Sequence, residues 1–444
     1  MFYLELLIVL AAIFVGARIG GIGLGVMGAV GLLILTFIFR LEPTTPPIDV
    51  MLIIISVISA SAALQASQGL TYMVGLAEKM LRKNPKRITF VAPLVCYLFT
   101  FVAGTGHIAY SILPIIAELA TKTGIRPERP LSISVIASQQ AITASPITAA
   151  TVALAALLAP QGIEIVDILK ISIPATLIGV LVGAFVTNKI GAELKSDPIF
   201  NEKLKDPDYV KLIAEESKSV ELSEIPATAK VSVAVFLLGV LVIILFGAIP
   251  TLRPTWISAS GETSTLSMVS IIEMVMMAAA ALIILVSRVK VSAISSGNIF
   301  RSGSEAVIAI FGIAWMGDTF IKGNYSFIEM GIKDMVLSAP WTFATALFVM
   351  SILLFSQAAT VRAMMPLGVA LGIPAGFLIA MFPSVNGYFF IPNYPTIIAA
   401  IGFDKTGTTR IGKYVLNHSF MIPGVVSTVV AVAAGFLLVI LFGT

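Results

Sequence analysis

The sequence predicts an all-α polytopic membrane protein built from two inverted-topology repeats, each with a re-entrant hairpin and a broken helix. Three observations lead there. The chain is 58% hydrophobic and 12% charged over 444 residues, with mean hydropathy +1.01, so it has too few charges to cover a soluble surface. Its apolar runs recur at about the length that crosses a bilayer. Two distant stretches also share one pattern: small polar residues at the end of an apolar run, a proline about ten residues on, and a proline-containing Ser/Thr/Asn break about thirty residues beyond.

The first stretch runs from Gly104-Thr105-Gly106-His107 through Pro114 to Ala144-Ser145-Pro146-Ile147-Thr148. The second runs from Ser356-Gln357-Ala358-Ala359-Thr360 through Pro366 to Pro392-Asn393-Tyr394-Pro395-Thr396. Non-helical backbone survives at membrane depth only where protein buries it or where it lines a cavity, so matched breaks mark a binding site near the midplane.

Taken in order, apolar runs predict spans at about 4 to 17, 20 to 39, 49 to 67 and 88 to 103. A hairpin and broken helix follow from 104 to about 159, then a span at about 165 to 187. The Gly20 to Gly31 glycine series lies inside a span with no preceding strand, so close helix packing explains it better than a nucleotide loop. Residues 188–230 hold sixteen of the 52 charged residues, with Asp197-Pro198 and Asp206-Pro207 as turn signals, and read as a water-exposed cytoplasmic linker. Spans resume at about 231 to 250, 268 to 287, 304 to 321 and 340 to 356, followed by a second hairpin and broken helix to about 400 and a last span at about 417 to 443. The chain thus divides into a membrane repeat 1–187, the linker 188–230 and a second membrane repeat 231–444, with spans matching in order.

Lys79, Arg82, Lys83, Lys86 and Arg87 form one basic cluster, and Arg288, Lys290 and Arg301 another. The positive-inside rule puts these, with the linker, in the cytoplasm. Counting spans outward puts both termini on the other side and makes the two repeats enter the membrane from opposite faces. The N-terminus has no basic start and suggests no cleavable signal. Cys96 is the single cysteine and the two histidines are too few for a metal cluster. Nothing in the charge pattern suggests nucleic acid, and no cofactor is implied.

A helix broken at membrane depth exposes backbone N–H groups and a positive dipole end, which favour an anion. Thr105, Ser145, Thr148, Gln357, Thr360, Asn393 and Thr396 add neutral donors, while Pro146 and Pro395 mark where the backbone opens. Arg362, six residues past Ser356, is a candidate counter-ion, and His107 at the first tip a candidate donor. The competing readings are a snorkelling Arg362 and a packing His107. The whole candidate substrate set adds Gly106, Ser356 and Tyr394. Asp318, Glu118 and Glu273 are weaker candidates for a coupling ion or proton, each near a span end.

At these residues the chain resembles the anaerobic C4-dicarboxylate transporters of the DcuA/DcuB type. The resemblance rests on Gly16-Ala17-Arg18-Ile19-Gly20-Gly21-Ile22, Leu81-Arg82-Lys83-Asn84-Pro85-Lys86, Ala103 to His107, Ile125-Arg126-Pro127-Glu128-Arg129-Pro130, Ala144 to Ile147, Ser356 to Ala359 and Gly407 to Lys413. It covers essentially the whole chain, and Asp197-Pro198-Ile199 with Ile310 to Phe320 looks closer to the DcuA branch. It implies an ion-transporter-superfamily-like fold and a carrier of the bacterial inner membrane, with C4-dicarboxylates and the lipid bilayer as partners, exchanging fumarate, malate or aspartate for succinate. A homo-oligomer is compatible with this. The alternatives are a Na+- or H+-coupled di- or tricarboxylate symporter on the same fold and an anion channel. An enzyme is disfavoured because neither a His-Glu-x-x-His helix nor a paired aspartate motif appears.

Overall fold

The computed structural model describes residues 1–19, 22–46, 48–214, 224–257, 263–324, 327, 339, 341–354, 356–392, 394–413 and 416–442. Among these the protein is mostly helical. The first half holds α1 (Phe2–Ile19), α2 (Gly23–Phe37), α3 (Ile48–Ala66), α4 (Gly69–Lys83), α5 (Ile88–Ala103), α6 (Ala109–Lys122), α7 (Glu128–Ile142), α8 (Ala149–Leu158) and α9 (Ile165–Thr187). Two short helices follow, α10 (Pro198–Lys203) and α11 (Pro207–Ala214). The second half holds α12 (Ala227–Ala248), α13 (Met268–Ser287), α14 (Val291–Ser295), α15 (Asn298–Gly323), α16 (Trp341–Leu354), α17 (Gln357–Ala370), α18 (Ala375–Met381), α19 (Pro395–Phe403) and α20 (Met421–Phe442).

The spanning helices are apolar on the face they bury and on the face they expose. In α12, Val233, Phe236, Val240 and Ile243 are buried while Leu237, Leu238, Leu241 and Leu245 are exposed. That is the surface of a helix whose outer solvent is lipid. Pro85–Ala103, Ile165–Thr187, Ala227–Ala248, Met268–Ser287 and Met421–Phe442 are each long and apolar enough to cross, and α3 with α4 is so only when the two are taken together across their 72° bend. The sequence places the basic residues after 67 in a loop. Instead Lys79, Arg82 and Lys83 lie on α4, an amphipathic helix that buries Met73, Val74, Ala77 and Leu81 at helical spacing.

The predicted span at 340 to 356 is likewise different in kind. Its helix α16 has 14 residues, about 21 Å long, and turns back as α17 near Ser356. The 16-residue α5 ends the same way at Gly104, so α5/α6 and α16/α17 are the two hairpins. Each is followed by an interrupted helix, α7/α8 and α18/α19, the latter running through a 3-10 turn at Phe382–Phe389.

Packing joins the halves. α2 runs along α15, α3 along α13 and α9 along α20; α1 lies against α2 and α12 against α13. α5 lies on α7 and α16 on the 382–389 turn, while α8 meets α17 and α6 meets α19. The α2/α15 crossing has no side chain between its backbones: a Cβ on Gly312 would stand 1.8 Å from the Gly25 carbonyl oxygen. The glycine series is therefore a packing surface at this point. Cys96 is fully buried within α5.

The connections fall on two faces. On one, Arg82 pairs with Glu78 and Glu118, Arg126 with Glu128 and Asp197, and Arg129 with Glu193. The 188–214 segment is docked there as well as charged: Asp197 caps α10, the Lys203 ammonium donates to the Thr406 carbonyl, and the Tyr209 hydroxyl donates to that of Lys405. On the other face Glu42 pairs with Lys322, Glu164 with Arg253, and the Asn324 amide donates to Glu5. That face also carries the one departure from helix among the described residues apart from an isolated bridge at Ile411 and His418. It is an antiparallel ribbon, β1 (Thr255–Ile257) with β2 (Thr263–Thr265), whose threonines, with Trp256 and Ile257, favour extended backbone.

Candidate functional site

The first hairpin turns because Gly104 takes a left-handed backbone, φ +66°, which glycine adopts without steric cost. A side chain there would meet Ile147 at 2.7 Å, so the tip presses directly on the first helix break. Thr105 joins Gly104, Ile147, Ser61 and Gly303 in lining a cavity of about 180 Å³. Gly106 begins the 3-10 turn Gly106–Ile108, and a Cβ on it would stand 2.8 Å from Gln139 Nε2. His107 belongs to that turn, and its side chain lies outside the described residues.

At the break, hydroxyls take over the bonds that the helix gives up. Ser145 Oγ donates to the Phe101 carbonyl at 2.7 Å, tying the break to the hairpin arm. Pro146 supplies no N–H, and Thr148 N-caps α8 by accepting from the Thr151 N–H while its hydroxyl donates to the Ile142 carbonyl at 2.6 Å. Ser356 does the same for α17, accepting from the Ala359 N–H at 3.2 Å, and Thr360 Oγ1 donates to the Ser356 carbonyl. Asn393 lies outside the described residues. Tyr394 caps α19 in extended backbone with its ring 4.8 Å from that of Tyr388, and Thr396 Oγ1 is buried with no hydrogen-bond partner.

Gln357 joins a buried amide network that ties the second hairpin tip to α7 and to the 382–389 turn. Its Nε2 donates to Gln139 Oε1 at 2.8 Å and to Asn386 Oδ1 at 3.2 Å. Asn386 Nδ2 donates to Gln140 Oε1 and to Thr143 Oγ1, and Gln140 Nε2 donates to Thr428 Oγ1 at 3.2 Å. Because Gln139 also abuts Gly106, both tips converge on α7. The sequence-based candidates omit Gln139, Gln140, Thr143, Asn386 and Thr428. The available signal is the Ser138-Gln139-Gln140 run inside an otherwise apolar helix.

Arg362 sits apart from this network, five residues or about 7.5 Å along α17 from Gln357. It is only 6% exposed, and none of its three guanidinium nitrogens has a hydrogen-bond partner. It lines a cavity of about 650 Å³ with Asp318, Val361, Pro366, Ala153, Leu157 and the loop residues Thr45, Pro46, Ala159 and Pro160. An unpaired buried guanidinium is costly, and a carboxylate entering this cavity would satisfy its donor fork. The candidate residues are therefore gathered as a first tip with its break, a second tip in an amide network, and an arginine cavity beside them. Of the weaker candidates, Glu118 is held by Arg82 and Lys122 and so serves structure, whereas Asp318 faces the arginine cavity. Among the described residues no three His, Cys, Asp or Glu side chains are grouped to hold a metal.

Comparison with known proteins places this geometry in context. Residues 1–443 match the family described as anaerobic c4-dicarboxylate membrane transporters, DcuA/DcuB. The C4-dicarboxylate transporter DcuA of Wolinella succinogenes is 42% identical over 437 residues, covering 98% of this chain and 99% of that protein. DcuA of Escherichia coli K12 is 42% identical over 439 residues, 99% of each. The anaerobic C4-dicarboxylate transporter DcuB of Escherichia coli O157:H7 is slightly more distant, 40% identical over 448 residues, 100% of this chain and 99% of the other. Among solved structures, the YdaH transporter of Alcanivorax borkumensis superposes with a TM-score of 0.60 at 12% identity, covering 95% of this chain and 98% of that one. MtrF of Neisseria gonorrhoeae gives 0.55 at 14% identity, covering 92% and 84%. At such identities the two structures speak for the fold alone.

Proposed function

The chain belongs to the anaerobic C4-dicarboxylate membrane transporter family, and from that premise we propose that it exchanges fumarate, malate or aspartate for succinate by alternating access across the bacterial inner membrane. It is a multi-pass membrane transport protein and not an enzyme.

The observation that carries the exchange reading is Arg362, buried and without partners at the wall of a cavity able to admit a small dicarboxylate. A substrate carboxylate supplies the hydrogen-bond acceptors that the protein withholds from this guanidinium. The hairpin tips and breaks supply the rest of the site in this reading, with Thr105, Gly106, His107, Ser145, Pro146, Thr148, Ser356, Gln357, Thr360, Asn393, Tyr394 and Thr396 around the substrate path.

Alternating access draws support from the packing. Exchanging α1, α2, α3 and α9 for α12, α13, α15 and α20, and each hairpin and broken helix for its counterpart, turns α1/α2 into α12/α13, α2/α15 into α13/α3 and α8/α17 into α19/α6 and leaves α9/α20 in place, although the α15/α17 contact has no comparable counterpart among the described residues. The two repeats, 1–187 and 231–444, joined by 188–230, are then inverted copies that trade conformations. Lysines and arginines crowd the face of Arg82, Arg126 and Lys203, which favours a cytoplasmic assignment for it and a periplasmic one for both termini. The cavity loops at Thr45 and Pro160 belong to the opposite face, so the arginine cavity is the outward-open half of the path.

Counterflow into succinate-loaded proteoliposomes tests the reading, with fumarate, malate, aspartate and citrate outside, with and without Na+. Arg362→Lys should keep partial exchange, because charge persists without the bidentate fork. Arg362→Gln should cut it about a hundredfold or more, while Arg18→Gln and Arg87→Gln stay near wild type. Normal fumarate/succinate exchange in Arg362→Gln would overturn the assignment.

A further inference from the structure

Resting on that reading of Arg362, we propose that Asp318 takes up a proton when a dicarboxylate binds, so that each substrate dianion enters the cavity together with one proton. The observation is a balance of charge. Asp318 on α15 and Arg362 on α17 are the only charged side chains lining the cavity among the described residues, and the two helices pack along each other. The two side chains interact through their charges but make no ion pair within 4.0 Å, and Asp318 is half-buried, open to the cavity. With both ionised, the empty cavity carries no net charge.

A dianion entering this cavity leaves it with two surplus negative charges and sets a substrate carboxylate beside Asp318. Like charges that share a poorly hydrated site do not both stay ionised. Protonating a carboxylate oxygen of Asp318 relieves the repulsion, halves the surplus charge and frees Arg362 wholly for the substrate. The proton comes from water on the open side and leaves with the substrate on the other. Exchange of one dicarboxylate for another then moves no net protons, whereas net uptake does.

Other groups near Asp318 are already committed. On its own helix, Lys322 is paired with Glu42 at the exposed rim, and Thr319 is hydrogen-bonded to Thr44. From α1, Glu5 accepts from Asn324. α2 and α14 carry no titratable residue, α17 offers only Arg362, and the side chain of Asp49 on α3 lies outside the described residues.

The test uses the full chain in lipid nanodiscs with fumarate, whose carboxyls are both ionised between about pH 6.5 and 8.5. Calorimetric titration in two buffers of different ionisation enthalpy counts the protons taken up per fumarate bound. Wild type should take up close to one proton, and its affinity should fall up to tenfold per pH unit on the alkaline side. Asp318→Asn should take up none, bind with an affinity independent of pH, and exceed wild type at the alkaline end. Asp318→Glu should keep the uptake with a displaced midpoint, and it decides the matter if Asp318→Asn does not fold. Fumarate binding by wild type without proton uptake overturns the role of Asp318, as does undiminished uptake in Asp318→Asn or an unmoved midpoint in Asp318→Glu. Absence of fumarate binding in wild type would instead strike at the exchange reading itself.

Discussion

The side-chain amide of Asn386 donates to that of Gln140 at 3.3 Å across 246 positions of sequence. Each residue stands eight positions before the cap that restarts its broken helix, Thr148 for α8 and Tyr394 for α19. The two thus stand at the same spacing from those caps and bond each other, and the tip residue Gln357 also bonds Asn386.

Asn386→Ala should therefore do more than remove one contact. It leaves Gln140 and Thr143 without their buried donor, at a cost of about 1–3 kcal/mol, and removes one of the two bonds that hold Gln357 at the second tip. We expect a lower melting temperature in detergent and slower counterflow. Combined with Gln140→Ala, the loss should be less than additive by about 0.5–3 kcal/mol; strict additivity would mean the pair is not coupled.

Ser145→Ala removes the bond from the first break to the Phe101 carbonyl. Because that hydroxyl is occupied within the protein, its loss should act through the position of the tip, raising the apparent substrate constant while the protein stays folded in membranes. Unchanged uptake kinetics would show that the tip is held without it. Gly106→Ala, which pushes a methyl group toward Gln139 Nε2, should weaken transport in the same way.

The breaks and the glycine crossing were legible in the sequence because each requires a particular residue type: proline or a hydroxyl where backbone bonds are lost, glycine where backbones touch. Arg362 was legible because a charge in an apolar run demands a reason. The amide network was not. Gln139 and Gln140 lie in the last turn of α7 and Asn386 in the turn that interrupts the second broken helix, but none is the proline or hydroxyl residue by which a break shows itself, and their value comes from partners about 30 to 290 positions away in sequence. Asp318 read as a residue near a span end, since the loops that close its cavity cannot be seen from α15 alone.

Acid should loosen the segment that leads into α20. His418 accepts from the Phe420 N–H through Nδ1, which leaves Nε2 as the donor to the Phe390 carbonyl and the ring neutral. Burial holds its pKa below the ordinary 6.5, against the opposing pull of the Phe390 carbonyl. The unfolded chain then binds the proton first as pH falls through about 6.5, so stability is full above that pH and declines below it. Melting temperatures between about pH 7.5 and 5.5 should fall in wild type and fall less in His418→Gln.

Arg126 is enclosed between Glu128 and Asp197, each 2.5 Å away. Burial pulls its pKa down, but the two carboxylates more than offset this and hold it above the usual arginine value. Arg126→Gln would strand two buried carboxylates and should cost about 3–5 kcal/mol, detaching α10 from the start of α7. Limited proteolysis within 188–214 should quicken correspondingly, and an unaltered cleavage rate would mean that other contacts hold the segment.

The fully buried position of Cys96, the single thiol of the chain, has a practical result. Closed off from aqueous reagents, it provides a silent background, so a cysteine introduced at Thr45 or Pro160 would be the sole labelling target without first removing a native one. Modification rates at those two places, followed with and without fumarate, would track in real time whether the arginine cavity is open to the outside.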